Sequence, residues 1–114
     1  WQEDISTIKD LTVNGNRVMA VDAKDTVKAF GVATGAILWE QDDLKLRKLT
    51  SPVSIKNFIA VGDLEGYVHL LDAKNGDFLG RKKISRKQIL ELTSERNFLL
   101  AVDESGTLFK LSLN

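Results

Sequence analysis

The sequence predicts an all-β chain, built as part of a β-propeller from four-stranded antiparallel blades. Two observations carry the prediction. Within 51–79, short apolar and β-branched runs are broken at Lys56-Asn57, at Asp63-Leu64-Glu65-Gly66 and at Lys74-Asn75-Gly76, so the stretch reads as four strands joined by tight turns. In each turn an Asx or Gly residue is expected to take the positive φ that a hairpin needs. The unit also recurs. Arg17-Val18-Met19-Ala20-Val21 matches Asn57-Phe58-Ile59-Ala60-Val61 and then Asn97, Leu99, Ala101 and Val102, which places Ala20, Ala60 and Ala101 about 40 and 41 residues apart; Gly35 and Gly76 repeat likewise. A period of about 40 to 45 residues made only of strands is that of a propeller blade, and no window shows a helical 3.6-residue repeat in its place. One such sheet cannot cover its own two faces, so the units must stack.

Taken in order, residues 1–7 read as the last strand of a preceding blade, because Trp1-Gln2-Glu3-Asp4-Ile5 resembles Trp39-Glu40-Gln41-Asp42-Asp43-Leu44. The first full blade spans 8–44. Its opening hairpin is set by Asn14-Gly15-Asn16, a strong turn signal between apolar runs. Its second turn, Asp22-Ala23-Lys24-Asp25, aligns with Asp63-Leu64-Glu65-Gly66 and Asp103-Glu104-Ser105-Gly106, but carries Asp25 where the others have glycine. Aspartate tolerates the left-handed region less well, so that turn is expected to be of another type or slightly strained. Trp39 lies in the outer strand and is expected to fill the wedge between blades; the second blade has Gly80 in its place, leaving a less covered edge.

The second blade spans 49–85. The third spans 88–114 and stops after its third strand, so its outer edge is open and copies of the chain are expected to associate through such edges. Three units do not close a ring, and a chain that begins at Trp1 is expected to be a fragment of a larger one.

Sixteen basic and sixteen acidic residues cancel among the 114, so no global field draws in nucleic acid or an anionic membrane surface, and binding has to be local. The chain has no cysteine, which excludes disulfides, thiolate metal sites and a cysteine nucleophile. No apolar run approaches the roughly 20 residues needed to span a bilayer.

Convergent catalytic groups are missing from the sequence, and no catalytic, cofactor or metal residue is assigned. The single histidine, His69, reads as a hydrogen-bonded or solvated strand residue. Asp22, Asp63 and Asp103 invite a calcium reading, but their identical place at the start of one turn predicts that each bonds its own turn backbone. Two basic clusters remain, Lys45-Leu46-Arg47-Lys48-Leu49 in the long connection 42–50, and Arg81-Lys82-Lys83 with Arg86-Lys87 in the equivalent region one blade on. In blades these connections emerge on one face. One reading is solvated charge with leucines tucked beneath; the other is a contact surface with Leu46 and Leu49 as apolar anchors and Arg47 as a fork for a partner carboxylate.

The succession Asn14-Gly15-Asn16-Arg17-Val18, Leu38-Trp39-Glu40-Gln41-Asp42-Asp43-Leu44, Leu49-Thr50-Ser51-Pro52-Val53, Val61-Gly62-Asp63-Leu64-Glu65-Gly66-Tyr67-Val68-His69 and Gly106-Thr107-Leu108 resembles the C-terminal third of the BamB family, lipoproteins of the outer-membrane β-barrel assembly machinery of Gram-negative bacteria. The resemblance covers the whole chain, while single turn motifs are shared by all quinoprotein-like propellers. It implies the last blades of an eight-bladed ring on the periplasmic side of the outer membrane, associated with the membrane only through a lipid anchor outside this segment. It further implies a scaffold without catalysis or cofactor, which binds the periplasmic POTRA domains of BamA, other members of the assembly complex and unfolded outer-membrane proteins. Partner binding by loops that precede inner strands would fall here on 42–50, hence on Leu46, Arg47 and Leu49. Two alternatives are a fragment of a pyrroloquinoline-quinone dehydrogenase, disfavoured by the lack of a clustered acid-and-metal site, and a generic WD40-like interaction module, disfavoured by the lack of Gly-His and Trp-Asp at the required positions.

Overall fold

A computed structural model of the chain describes residues 1–2 and 8–113. Eleven strands are present among them. The first blade is β1 (Ile8–Asn14), β2 (Arg17–Asp22), β3 (Val27–Gly31) and β4 (Ile37–Gln41), and the second is β5 (Val53–Ile55), β6 (Phe58–Gly62), β7 (Tyr67–Asp72) and β8 (Phe78–Lys83). The third sheet holds β9 (Ile89–Glu95), β10 (Phe98–Asp103) and β11 (Leu108–Ser112). Each is an antiparallel meander in sequence order, and the inner strand β5 lies against both β1 and β9. The sheets are therefore consecutive blades fanned about their first strands. The expected last strand of a preceding blade lies mostly outside the described residues.

Position in the stack explains the apolar pattern. In the first seam, Met19, Val21 and Ala29 pack with Ile59, Val61 and Leu71; in the second, Ala60 and Val68 pack with Leu99 and Ala101. Strand β6 thus sends alternate side chains into two cores, and reads as an unbroken apolar run because both its faces are covered.

The outer parts of the blades are fastened by tryptophan. The Trp39 indole Nε1 donates to the Ala73 carbonyl at 3.0 Å, and its ring lies on Gly76, whose φ is 79°. A β-carbon on Gly76 would come within 2.7 Å of Trp39 Cδ2, so only glycine serves both the turn and the ring. Trp1 repeats the arrangement one blade earlier, over Gly35 and bonded to the Val32 carbonyl. The expected wedge role of Trp39 is what the structure shows.

Two local expectations are corrected. In the hairpins joining each first and second strand, the positive φ is taken by Gly15, Lys56 and Arg96, and not by Asn57 in the second. The asparagine carbonyls there accept bonds instead: Asn16, Asn57 and Asn97 receive the N–H groups of Val32, Ala73 and Leu113. Arg81, Lys82 and Lys83 belong to strand β8 and not to the connection after it, which is 84–88. On the outermost strand both faces meet water, so charged residues continue the strand that an apolar pattern would have ended.

Candidate functional site: a loop braced by buried carboxylates

The three repeated aspartates build the end of the stack from which the long connections emerge. One carboxylate oxygen of each accepts the N–H groups two and four residues on: Lys24 and Thr26 for Asp22, Glu65 and Tyr67 for Asp63, Ser105 and Thr107 for Asp103, all at 2.9–3.1 Å. The expectation that each holds its own turn is met. The second oxygen is free for other work, and there the blades differ. Asp22 reaches Lys28 at 3.8 Å, Asp103 accepts the Ser85 hydroxyl at 2.6 Å, and Asp63 accepts both His69 Nε2 at 2.7 Å and Arg47 Nε at 2.9 Å.

Asp63 is fully buried. Burial alone would raise its pKa, but the bonds from His69, from Arg47 and from two backbone N–H groups outweigh this and hold it below 3.8. His69 is also buried, and burial pushes it below 6.5 despite the pull of Asp63, helped by the charges of Arg47 and Arg81. The group is therefore a carboxylate with one permanent cation, Arg47, and a neutral imidazole that donates from Nε2. Asp103 is held at about 2, chiefly by the hydroxyls of Ser85 and Ser105.

Arg47 ties this network to the connection 42–52. Its guanidinium also meets Glu65 at 3.3 Å, and its carbonyl accepts the Leu64 N–H at 2.9 Å. From the other blade Asp25 takes over: its carboxylate accepts the N–H groups of Lys48 at 3.1 Å and Leu49 at 2.9 Å, while the Lys24 carbonyl accepts from Leu46. Asp25 adopts φ 66°, so the departure from glycine noted in the sequence is a left-handed residue whose side chain braces the next loop.

The bracing sorts the three candidate residues. Leu49 is 5% exposed and sits with Leu44 in the core between blades. Arg47 points back to Asp63 and Glu65. Leu46 is 76% exposed, at φ 60°, followed by Lys48 at φ 53°. Two non-glycine left-handed residues in one loop cost energy, and rigid surroundings are needed to maintain them. Their effect is to hold a leucine out in solvent. Leu64, also exposed, is bonded through its N–H to the Arg47 carbonyl of the same loop, a link that no local sequence signal announces.

Asp25→Gly tests the brace. It removes left-handed strain of about 1–2 kcal/mol but also two charge-assisted bonds worth about 1.5–3 kcal/mol each. A net loss of about 1–5 kcal/mol is expected, read as a lower urea midpoint, together with faster hydrogen exchange at Lys48 and Leu49. Unchanged exchange there would show that the carboxylate does not hold the loop.

Among the described residues no cluster of three or more His, Cys, Asp or Glu side chains could hold a metal ion, and no helix is long and apolar enough to cross a membrane. The profile of a family described as outer membrane protein assembly factor BamB matches residues 1–112. The chain is 34% identical over 113 residues to outer membrane protein assembly factor BamB of Escherichia coli K12, covering 98% of this chain and 29% of the relative. It is 38% identical over 86 residues to the protein of the same name from Kangiella koreensis, covering 75% of this chain and 22% of the relative. The crystal structure of BamB from Moraxella catarrhalis superposes with a TM-score of 0.89 at 35% identity, over 97% of this chain and 34% of that one. The chain thus spans about three tenths of the length of these relatives.

Proposed function

We propose, since the chain belongs to the family of outer membrane protein assembly factor BamB, that it is part of a non-catalytic scaffold on the periplasmic side of the outer membrane. In this reading it binds the POTRA region of BamA and aids delivery and insertion of β-barrel proteins. The observation that carries the reading is Leu46, an apolar side chain held in solvent at positive φ by a loop bonded to both flanking blades. Hot spots of protein interfaces are apolar or aromatic anchors on rigid supports, ringed by polar groups. Leu46 supplies the apolar centre between Lys45 and Lys48 of its own loop, and exposed Leu64 and Glu65 are joined to that loop through Arg47. Arg47 and Leu49 serve by support: one fixes the loop to the buried Asp63, the other roots it in the core. Pre-organisation of this kind limits the ordering entropy lost on binding.

Calorimetric titration of the chain with the isolated POTRA region tests it. Saturable binding is expected, weakened about tenfold or more by Leu46→Asp. Val32→Asp, in a turn at the opposite end of the first blade, is expected to leave it unchanged. Equal effects of the two substitutions, or binding that ignores Leu46, would remove the loop from the interface.

A further inference from the structure

Charge on this chain balances in total but not in space. Five of the seven residues 81–87 are cationic: Arg81, Lys82 and Lys83 on β8, then Arg86 and Lys87 in the connection that follows. All five are exposed, and among the described residues none has a carboxylate within ion-pair distance. Arg81 and Lys83 lie over the Tyr67 ring at 4.6 Å and 5.5 Å, which keeps two like charges side by side on one face of the strand. The other end of the same strand exposes Phe78 and Leu79. Every residue of β8 is exposed, and Gly80 leaves the middle of the strand bare where the first blade has Trp39.

From this ridge we infer a second surface, independent of the Leu46 loop, which binds anionic lipid headgroups. A folded acidic partner would need fixed complementary positions, whereas these cations are spread over both faces of an outer strand and the connection after it, and none is held by a carboxylate among the described residues. A partner adding a strand is opposed by the charges themselves, since lysine and arginine on an edge strand block pairing. A lipid surface demands neither. Its charge is spread out, each lysine or arginine near it contributes additively, and an adjacent aromatic and leucine enter the interfacial layer while the charged stems snorkel. The ridge is the outermost strand of its blade with the connection that follows, and all five cations are exposed there, so that it can approach a flat bilayer edge-on.

The test is flotation of the 114-residue chain with vesicles of phosphatidylcholine alone and with about one third phosphatidylglycerol. Binding is expected only to the anionic vesicles and is expected to fall steeply between low and physiological salt. Lys82→Glu with Lys83→Glu is expected to lower partitioning at least tenfold, because each reversed charge removes an attraction and adds a repulsion. Lys24→Glu with Lys74→Glu changes net charge by the same amount away from the ridge and is expected to have a small effect. Leu79→Ser is expected to weaken binding without changing its salt dependence. Circular dichroism of each variant confirms that the blades are intact. Absence of binding to anionic vesicles overturns the inference, as does an equal loss in the two double variants. Tighter binding to polyglutamate than to vesicles of matched charge concentration would reassign the ridge to an acidic protein partner.

Discussion

Trp39→Ala is expected to lower the stability of the chain by about 3–5 kcal/mol, the range for emptying a buried tryptophan site. The side chain is 8% exposed and spans the outer part of the first seam, where its ring covers Gly76 and its Nε1 bonds the Ala73 carbonyl. Removal opens a void between blades whose strands, among the described residues, do not pair with one another. The loss therefore falls on the contact that makes two sheets one body. Trp1 provides an internal control. It makes the same kind of contact with Gly35 and Val32 but is 63% exposed, so Trp1→Ala is expected to cost no more than about 1 kcal/mol. Gly76→Ala attacks the same contact from the other side, by left-handed strain and by collision with the indole. In the background of Trp39→Ala the collision is gone, and only the strain of about 1–2 kcal/mol remains. Urea midpoints of the four proteins form a double-mutant cycle in which strong non-additivity is expected. Additive costs, or a Trp39→Ala loss no greater than that of Trp1→Ala, would mean that the ring does not hold the seam.

Residues whose roles are repeated were legible in the sequence, and residues whose roles join two blades were not. The strands, the turn-capping aspartates and the wedge tryptophan all recur at the blade period, so register alone gave each a meaning. Asp25 was visible only as an exception. Its role lies in the next loop, which hangs from its carboxylate 23 and 24 residues away. The Arg47, Asp63 and His69 group spans two connections and a strand, and nothing in local sequence says that an arginine in one loop enters the following turn. The leucines of 42–50 failed differently. Leu44 and Leu49 are buried and Leu46 is not, a pattern that fits neither a period of two nor one of 3.6, because left-handed residues at 46 and 48 break the regular rotation of the chain. Strand β8 extended into Arg81-Lys82-Lys83 for an equally physical reason: an outermost strand needs no apolar face to be hydrogen-bonded along one side.

Asp63→Ala is expected to cost about 3–5 kcal/mol as well, for a different reason. The carboxylate is the common acceptor for the N–H groups of Glu65 and Tyr67, for His69 Nε2 and for Arg47 Nε, and alanine leaves these donors without it in a buried place. Asp63→Asn keeps one oxygen for the two backbone N–H groups but turns an amide NH₂ toward Arg47. A smaller loss of about 2–3 kcal/mol is expected from it. Both substitutions are also expected to weaken partner binding by more than Val32→Asp does, because Arg47 would lose the anchor that holds the Leu46 loop. The wild-type network predicts a stability profile with two steps. His69 has a folded pKa below 6.5, so the unfolded chain binds the extra proton: its contribution is complete above pH 6.5 and is lost as pH falls toward the folded value. Asp63 and Asp103 have folded values below 3.8, so their contributions are complete above that pH and are lost beneath it, through about 2 for Asp103. Denaturation midpoints should therefore be level above pH 7, decline below 6.5, and decline again below 4. His69→Gln, which can still donate to Asp63, is expected to remove the first step and leave the second. A first step that survives in this variant would have to come from some group other than the single histidine of the chain.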